Sequence, residues 1–577
     1  MMVLGLNAYH ADAAACLVQD GRVLVAIEEE RQTRCKHTAG FPSHAVRACM
    51  AFAGITADQI DVIGIARDPT ANVSGRFRRA ISGLRNPRRL SRVLARRWHS
   101  PRRLRAELAS VLSTDPIALA ARIVGVEHHV AHIASAFYCS PYDSAAGVSV
   151  DGLGDNLSTL IAQCDANGIT RIEQVAYPHS LGFFYTAITQ YLGFLNYGDE
   201  YKVMGLAAMG QPSQLHNLRD VLRVESGSLF ELGLAYFAHA EGEIDMTWES
   251  GVPHLPIMYS PALSELLGPP RAPDDPIQAR HRDIACSAQV LYERALQRIL
   301  RTAFERTTKD TLVLAGGCAQ NSMANGRVPA ACGFKHVYAA PSSHDGGTAV
   351  GAALWLAADR GNVHYPQRNP FLGSEIDTAE VESLLRGVGM APQYFDDERC
   401  VFAAVIDCVV AGGIVGWVQG RAEWGPRALG HRSILADPRR ADIKAILNGK
   451  IKQRESFRPF APSICIEDAA QWFIVDEPND RAPYMEKVVT VREPCRHQIP
   501  GVVHADGSAR VQLVERELDP RFWALLQWMG GVTGVPILVN TSFNENEPIV
   551  ETAHDAVACF QRTAMDMLVV NSLVVHR

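Results

Sequence analysis

The chemistry-bearing residues fall into a few clusters. The first is HHVAH at 128–132. On a helix, His128 and His132 stand four apart and face the same side. Two imidazoles so placed can hold one divalent metal. The string lacks the glutamate of H-E-x-x-H, so a metalloprotease is a poor reading; a pair of satisfied structural histidines is the plain alternative. Two carboxylates add to the cluster. Asp151 ends the apolar run VSVDGLG at a turn, where a buried carboxylate needs a partner. Asp345 sits in SSHDGG, between a strand and a helix. Two His and two Asp suit iron, magnesium or manganese, and His129 and His344 compete for the ligand roles.

A second cluster, EEERQTRCKH (28–37), follows His10 and Asp12. It runs directly out of a strand, so Arg31, Arg34, Lys36 and His37 could line the mouth of a cleft. In a third, GDEYKVMGLAAMG (198–210), Lys202 precedes a glycine-containing turn and could contact phosphate. The densest is C-terminal: GRAEWGPRALGHRSIL (420–435), KIKQRESFRPFAPS (450–463), ARVQLV (509–514) and VNTSFNENEP (539–548). Arg427, Lys452, Arg458 and Arg510 recur there beside Gly, Pro and Asn. Guanidinium forks suit bidentate binding of phosphate or carboxylate, so the group points to an anionic substrate.

Elements must position these side chains. The N-terminus reads as VLGLNAYH, AAACLV, the turn QDG and RVLVAIEEE, a β-hairpin pattern. A related pattern returns at 145–175, which predicts a duplicated core. The sugar-kinase, actin and Hsp70 architecture has such a duplication. Its strand running into a Gly-Gly turn and helix is matched by TLVLAGGCAQNSMANG (311–326), where glycine lets the backbone approach a nucleotide. Residues 281–307 read as one amphipathic helix, and DGGTAVGAALWLAADRG (345–361) as a turn and a helix packed through small residues. VHYPQRNPFLGSE (363–375) is the linker candidate. After it come helices near 377–387 and 398–411, the strand GIVGWVQG, a helix near 440–450, the strand VPILVN and a final helix and strand pair.

At 577 residues, two domains are expected. Hydrophobic residues at 47% and charged residues at 20% are ordinary for a globular chain and exclude a disordered or collagen-like one. No run has the roughly 18–20 apolar residues of a membrane helix, and the N-terminus reads as a strand and not a signal peptide. Thirteen scattered cysteines without C-x-x-C point to reduced thiols and a cytoplasmic location. The formal net charge of −6 argues against a general nucleic-acid binder, yet residues 76–105 hold twelve Arg and no Lys, Asp or Glu. On helical spacing these interleave Phe77, Ile81, Leu84, Leu90, Val93, Leu94 and Trp98. The segment reads as an insertion with an apolar face on the body and a basic face outward, solvated or docking an acidic partner.

The strings GLNAYHADAAACL, EEERQTRCKH, HHVAH, VDGLGD, GDEYKVMGLA, AGGCAQN, SSHDGGTAVGAA, GPRALGHRS, RPFAPS and NTSFNENEP occur in order along the chain. Together they resemble the NodU/CmcH family of O-carbamoyltransferases, which modify nodulation factors, antibiotics and other natural products. The resemblance implies an α/β fold in two parts. Residues 1–365 would be an ASKHA-type (actin/Hsp70/sugar-kinase-like) carbamoyl-transfer domain, and 372–577 a YrdC-like domain. The second would condense carbamoyl phosphate with ATP, using Mg2+, to give carbamoyl-adenylate and pyrophosphate. The first would pass the carbamoyl group to a hydroxyl of a small acceptor.

By the same resemblance His128, His132, Asp151 and Asp345 are metal ligands, with iron ahead of magnesium or manganese, and the metal holds the adenylate phosphate. Lys36 lies beside the acceptor site. Gly316, Gly317 and Asn321 form the nucleotide turn. Arg427, Lys452, Arg458, Arg510 and Asn540 bind carbamoyl phosphate and ATP. Family members often read H-D-A-S/A near the start, whereas this chain reads His10-Ala11-Asp12-Ala13. His10 is taken as general base, with His37 its rival. No membrane or nucleic-acid partner is expected; a homodimer and an acidic partner at 76–105 are left open. The alternatives are a tRNA threonylcarbamoyl transferase and a non-catalytic ATP-binding regulator of the Hsp70/actin type.

Overall fold

A computed structural model describes residues 1–68, 70–72, 101–117, 119–225, 229–240, 246–358, 366–475 and 481–577. Most of the arginine-rich run, with its interleaved apolar residues, lies outside the described residues. Its end is the helix Pro101–Val111, which buries Leu104 and Leu108. Arg105 there is committed to the carbonyls of Leu119 and Ala121.

The N-terminal part is built on two five-stranded sheets with one plan. In the first, β1 (Met2–Asn7), β2 (Ala14–Gln19) and β3 (Arg22–Glu28) are antiparallel neighbours. β4 (Val62–Ile65) lies parallel to β1, and β5 (Arg122–Gly125) parallel to β4. In the second, β6 (Ala145–Gly154), β7 (Leu157–Asp165) and β8 (Gly168–Ala176) repeat the meander. β9 (Thr311–Ala315) and β10 (His336–Ala339) repeat the two parallel additions. The orders β3-β2-β1-β4-β5 and β8-β7-β6-β9-β10 are therefore equivalent, and the duplication expected from the hairpin patterns is present.

β3 runs straight into a short helix, α1 (Glu29–Thr33). Between the two sheets lie α2 (His128–Cys139) and, later in the chain, α5 (Thr348–Ala358). Every α2 residue but Val130 is buried, since both of its sides face protein. Small residues let the helices touch: a Cβ on Gly351 would lie 1.8 Å from the Ala131 carbonyl oxygen. The second sheet is backed by α3 (Ala279–Thr307), and α4 (Ser322–Ala331) follows the Gly-Gly turn.

The C-terminal part is one mixed ten-stranded sheet. Its strands are β11 (Gln393–Tyr394), β12 (Val415–Val418), β13 (Arg432–Ala436), β14 (Ala461–Cys465), β15 (Phe473–Ile474), β16 (Lys487–Val491), β17 (Ser508–Val514), β18 (Ile537–Ser542), β19 (Met567–Val570) and β20 (Leu573–His576). The order is β11-β20-β19-β12-β13-β18-β14-β17-β16-β15. The sequence patterning found three of the ten, β12, β18 and one of the final pair; β13 and β14, among those it missed, are buried at every position although arginine, serine and proline interrupt their apolar residues. The expected helix near 440–450 is only Ile443–Ile446, continued by a wider turn through Ile451.

The linker candidate 363–375 is packed against both parts where it is described. Residues 363–365 lie outside the described residues, but Phe371 and Leu372 are buried in the core between the two parts. Leu372 O accepts a bond from Ala26 N at 3.0 Å. All thirteen cysteines are free. No described helix is long and apolar enough to cross a membrane.

Candidate active site

Glu127 caps α2 by accepting from Val130 N at 2.9 Å, which starts the helix at His128. One turn later comes His132, and their Nε2 atoms face each other at 3.0 Å. Asp151, on β6, lies 3.2 Å from His128 and 3.8 Å from His132. Asp345, in the turn before α5, lies 3.5 and 3.3 Å from the same two rings. All four are buried, and their ligand atoms lie within 4.8 Å of one another. Ligands about 2.1 Å from a common cation stand roughly 3–3.5 Å apart. Two nitrogens and two oxygens at this spacing fit a divalent cation. Gly317 N–H holds Asp151 Oδ1 at 2.8 Å. Burial opposes charge on His128, yet bonds to Asp151 and Asp345 carry its pKa well above the usual histidine range.

His129 is not part of the group. Its nitrogens are spent on Ser149 Oγ and Leu157 O, and burial, with His128 beside it, pushes its pKa down to about 3. His344 bonds Ser342 Oγ through Nδ1 and lies 3.5 Å from Glu28 through Nε2.

Two histidines adjoin the centre. His10 Nδ1 is 2.5 Å from Asp345 Oδ2. His37 Nδ1 is 2.7 Å from Asp12 Oδ1. Burial disfavours the imidazolium of His37, but Asp12 prevails and raises its pKa to about 9. Tyr9, Asp12, Arg34 and His37 all adopt left-handed backbone conformations, with φ between 54° and 63°. Such strain persists only where surroundings impose it, and it clusters at working sites. Lys36 faces the same cavity, its pKa lowered by burial and by Arg458 and Arg454. Arg31 and Arg34 do not line it; they point to the C-terminal part.

The cavity, about 2420 Å³, is walled by both parts of the chain. From the C-terminal part come Arg427, Arg454, Arg458, Arg510 and Asn540. Burial, then Arg427, Arg454 and Arg458, hold the Arg510 pKa well below the usual arginine range. Burial, with Arg458 nearby, brings Arg454 to about 9, and burial first brings Arg427 to about 10. Arg458 stacks over the Tyr201 ring at 4.5 Å and lies 3.5 Å from Glu455. Asn540 donates to Gln512 and leaves its buried Oδ1 without a partner.

Arg454, within KIKQRESFRPFAPS, went unselected because nothing in its spacing sets it apart from its neighbours. Lys452 does not line the cavity. Its ammonium is buried against Ser542 O, Asn544 O and Asn544 Oδ1, so it ties down the turn after β18. Lys202 lies on the helix Glu200–Ala207 and is paired with Asp199 and Glu455 at 2.9 and 3.0 Å. Gly316, at φ 92°, crosses so close to β6 that a Cβ would meet Val150 O at 2.1 Å. Asn321 caps α4 and exchanges two amide bonds with Gln289, so its side chain is occupied.

Comparison with known proteins follows the same division. Residues 2–354 match the family model described as carbamoyltransferase N-terminus, and 406–577 that described as carbamoyltransferase C-terminus. The chain belongs to this family of enzymes. It is 37% identical to the uncharacterized protein sll1178 of Synechocystis sp., over all of this chain and 96% of that one. It is 35% identical to nodulation protein NolNO of Sinorhizobium fredii, over 99% of this chain and 80% of that one. Among solved structures, T. kodakarensis HypF aligns with TM-score 0.32 at 14% identity, over 62% of this chain and 48% of that one. A ROK hexokinase from Thermus thermophilus aligns with TM-score 0.30 at 14% identity, over 63% and 100%.

Proposed function

We propose that this carbamoyltransferase works in two steps within one cavity, on an ASKHA-type N-terminal part and a YrdC-like C-terminal part. In the first step carbamoyl phosphate and ATP react at the arginine cluster. Water releases inorganic phosphate and leaves carbamate. A carbamate oxygen then attacks the α-phosphorus of ATP, the bond to the β-phosphate breaks, and pyrophosphate departs. In the second step an acceptor hydroxyl attacks the carbamoyl carbon of the adenylate and AMP leaves.

One observation carries the reading. Arg427, Arg454 and Arg510 have no ion pair among the described residues, yet they open onto the same cavity as the His/Asp centre. Enclosed cations without counter-charge are costly unless an anion occupies the space between them. His128, His132, Asp151 and Asp345 would hold a divalent metal, with iron favoured by the nitrogen donors and magnesium or manganese as alternatives. When bound it supplies a Lewis acid for a phosphate group. His10, placed by Asp345, takes the proton of the acceptor hydroxyl. His37 is its weaker rival, because a group with pKa about 9 is already protonated at neutral pH. Lys36 would face the anionic adenylate from the wall between the two sites.

The test is incubation with carbamoyl phosphate, ATP and magnesium. Pyrophosphate release that needs both substrates supports the reading. Release that ignores carbamoyl phosphate, or none at all, defeats it.

A further inference from the structure

The segment that carries Lys36 and His37 also holds the C-terminal part in place. Arg31 on α1 is 3% exposed, and its Nη2 donates to Gly425 O at 2.7 Å. Gly425 lies two residues before Arg427. Arg34 ends α1, and its two Nη atoms donate to Ile549 O and Pro548 O, each at 2.6 Å. Arg34 Nε lies 3.3 Å from Asp555 Oδ1. Asn546, Pro548 and Ile549 line the cavity, as does the Asn544 that anchors Lys452. Two guanidiniums three residues apart therefore grip two separate cavity loops by their backbone carbonyls. Before and after them Glu30, Cys35, Lys36 and His37 face the cavity.

Backbone carbonyls accept from any donor, so these contacts read position and not side-chain identity. A planar fork that bonds two successive carbonyls also fixes orientation, which an ammonium cannot do. Lys202 to Glu455 and Asn325 to Glu486 O tie the two parts elsewhere. The Lys202 tie lies on the arginine side of the cavity, whereas the α1 ties flank Lys36 and His37 and reach the loops of Arg427 and Asn546.

We propose that Arg31 and Arg34 are positioning residues which close the cavity wall between the two half-sites, so that carbamoyl-adenylate is handed over without meeting bulk water. This rests on the two-step reading. If the wall opens, water attacks the carbamoyl carbon of the adenylate, the bond from that carbon to the phosphate oxygen breaks, and carbamate and AMP result. With carbamate and the AMP phosphate fully ionised, two protons pass to solvent.

The experiment omits any acceptor and follows pyrophosphate and AMP with carbamoyl phosphate, ATP and magnesium present. Wild-type protein should give a burst and then nearly stop, because the enclosed adenylate blocks the next turnover. Arg34→Ala should lose the stop and release both products continuously, raising the steady rate roughly tenfold, since small misplacement near a reacting centre has effects of that size or larger. Arg34→Lys should leak less. Asp555→Asn, which keeps the carbonyl contacts, should leak weakly and serves if Arg34→Ala does not fold. A destabilised enzyme would lose rate, so a gain in acceptor-free turnover separates positioning from stability. A wild-type burst with no added leak in these variants overturns the proposal alone. Wild-type protein without pyrophosphate release overturns the two-step reading and this proposal together.

Discussion

Asp345 turns one carboxylate oxygen to His10, at 2.5 Å, and the other to His132, at 3.3 Å. A single side chain thus joins the cavity-facing imidazole to the buried His/Asp group. Asp345→Asn keeps the shape but lacks the second charged oxygen. It is expected to lower bound divalent metal, read by elemental analysis, and carbamoyl transfer, by about 100-fold. The first-turnover burst of pyrophosphate should fall far less, because the arginine cluster is untouched.

His132→Ala leaves His128 as the single imidazole of the group. Metal content and transfer are expected to vanish while the first-turnover burst of pyrophosphate persists. The measurement is mass spectrometry for a carbamoyl increment across a panel of hydroxylated natural products, run beside a pyrophosphate assay. Equal loss of both activities would argue against separate half-sites.

Arg510 trades stability for binding. Its Nε is buried without a partner, and three other guanidiniums surround it. Arg510→Met should raise the thermal midpoint, through a gain of about 1 kcal/mol, as relieving a costly functional residue commonly does. Pyrophosphate release should collapse. A lower midpoint would mean that Arg510 has a hidden counter-charge.

The His37–Asp12 pair sets a pH dependence. The folded pKa of His37, about 9, exceeds the unfolded value near 6.5. The imidazolium therefore stabilises the fold fully below the unfolded pKa, and this contribution disappears as pH rises through about 9. Midpoints of wild type and His37→Gln should differ most at pH 6 and converge above pH 9. A difference that is constant with pH would refute the pair's charge.

Gly351→Ala sets two effects against each other. Alanine gains about 0.5–1 kcal/mol in a helix. Here its Cβ would fall 1.8 Å from Ala131 O, and overpacking costs about 1–3 kcal/mol. Net destabilisation is expected. Because Ala131 precedes His132, metal affinity should drop as well. A more stable variant would show that α2 and α5 can separate freely.

The sequence by itself determined the duplicated β-hairpin units, the HHVAH helix and the family, because these depend on short-range periodicity and on strings that stay contiguous. His128 and His132 share a face by helix geometry alone. Their meeting with Asp151 and Asp345 was expected, but the distances came only from two sheets packing on α2. Seven strands of the ten-stranded sheet escaped notice; β13 and β14 did so because both pair with β18, far along the chain. Only the tertiary structure decided which cations face the cavity. Arg454 and Lys452 lie two residues apart in one string, yet one opens onto the cavity and the other is consumed by carbonyls around Asn544. Composition cannot separate them, because a cation's role depends on which acceptors the fold brings within reach. The same holds for Arg31 and Arg34, read from sequence as lining the cleft and placed by the fold against the loops that close it.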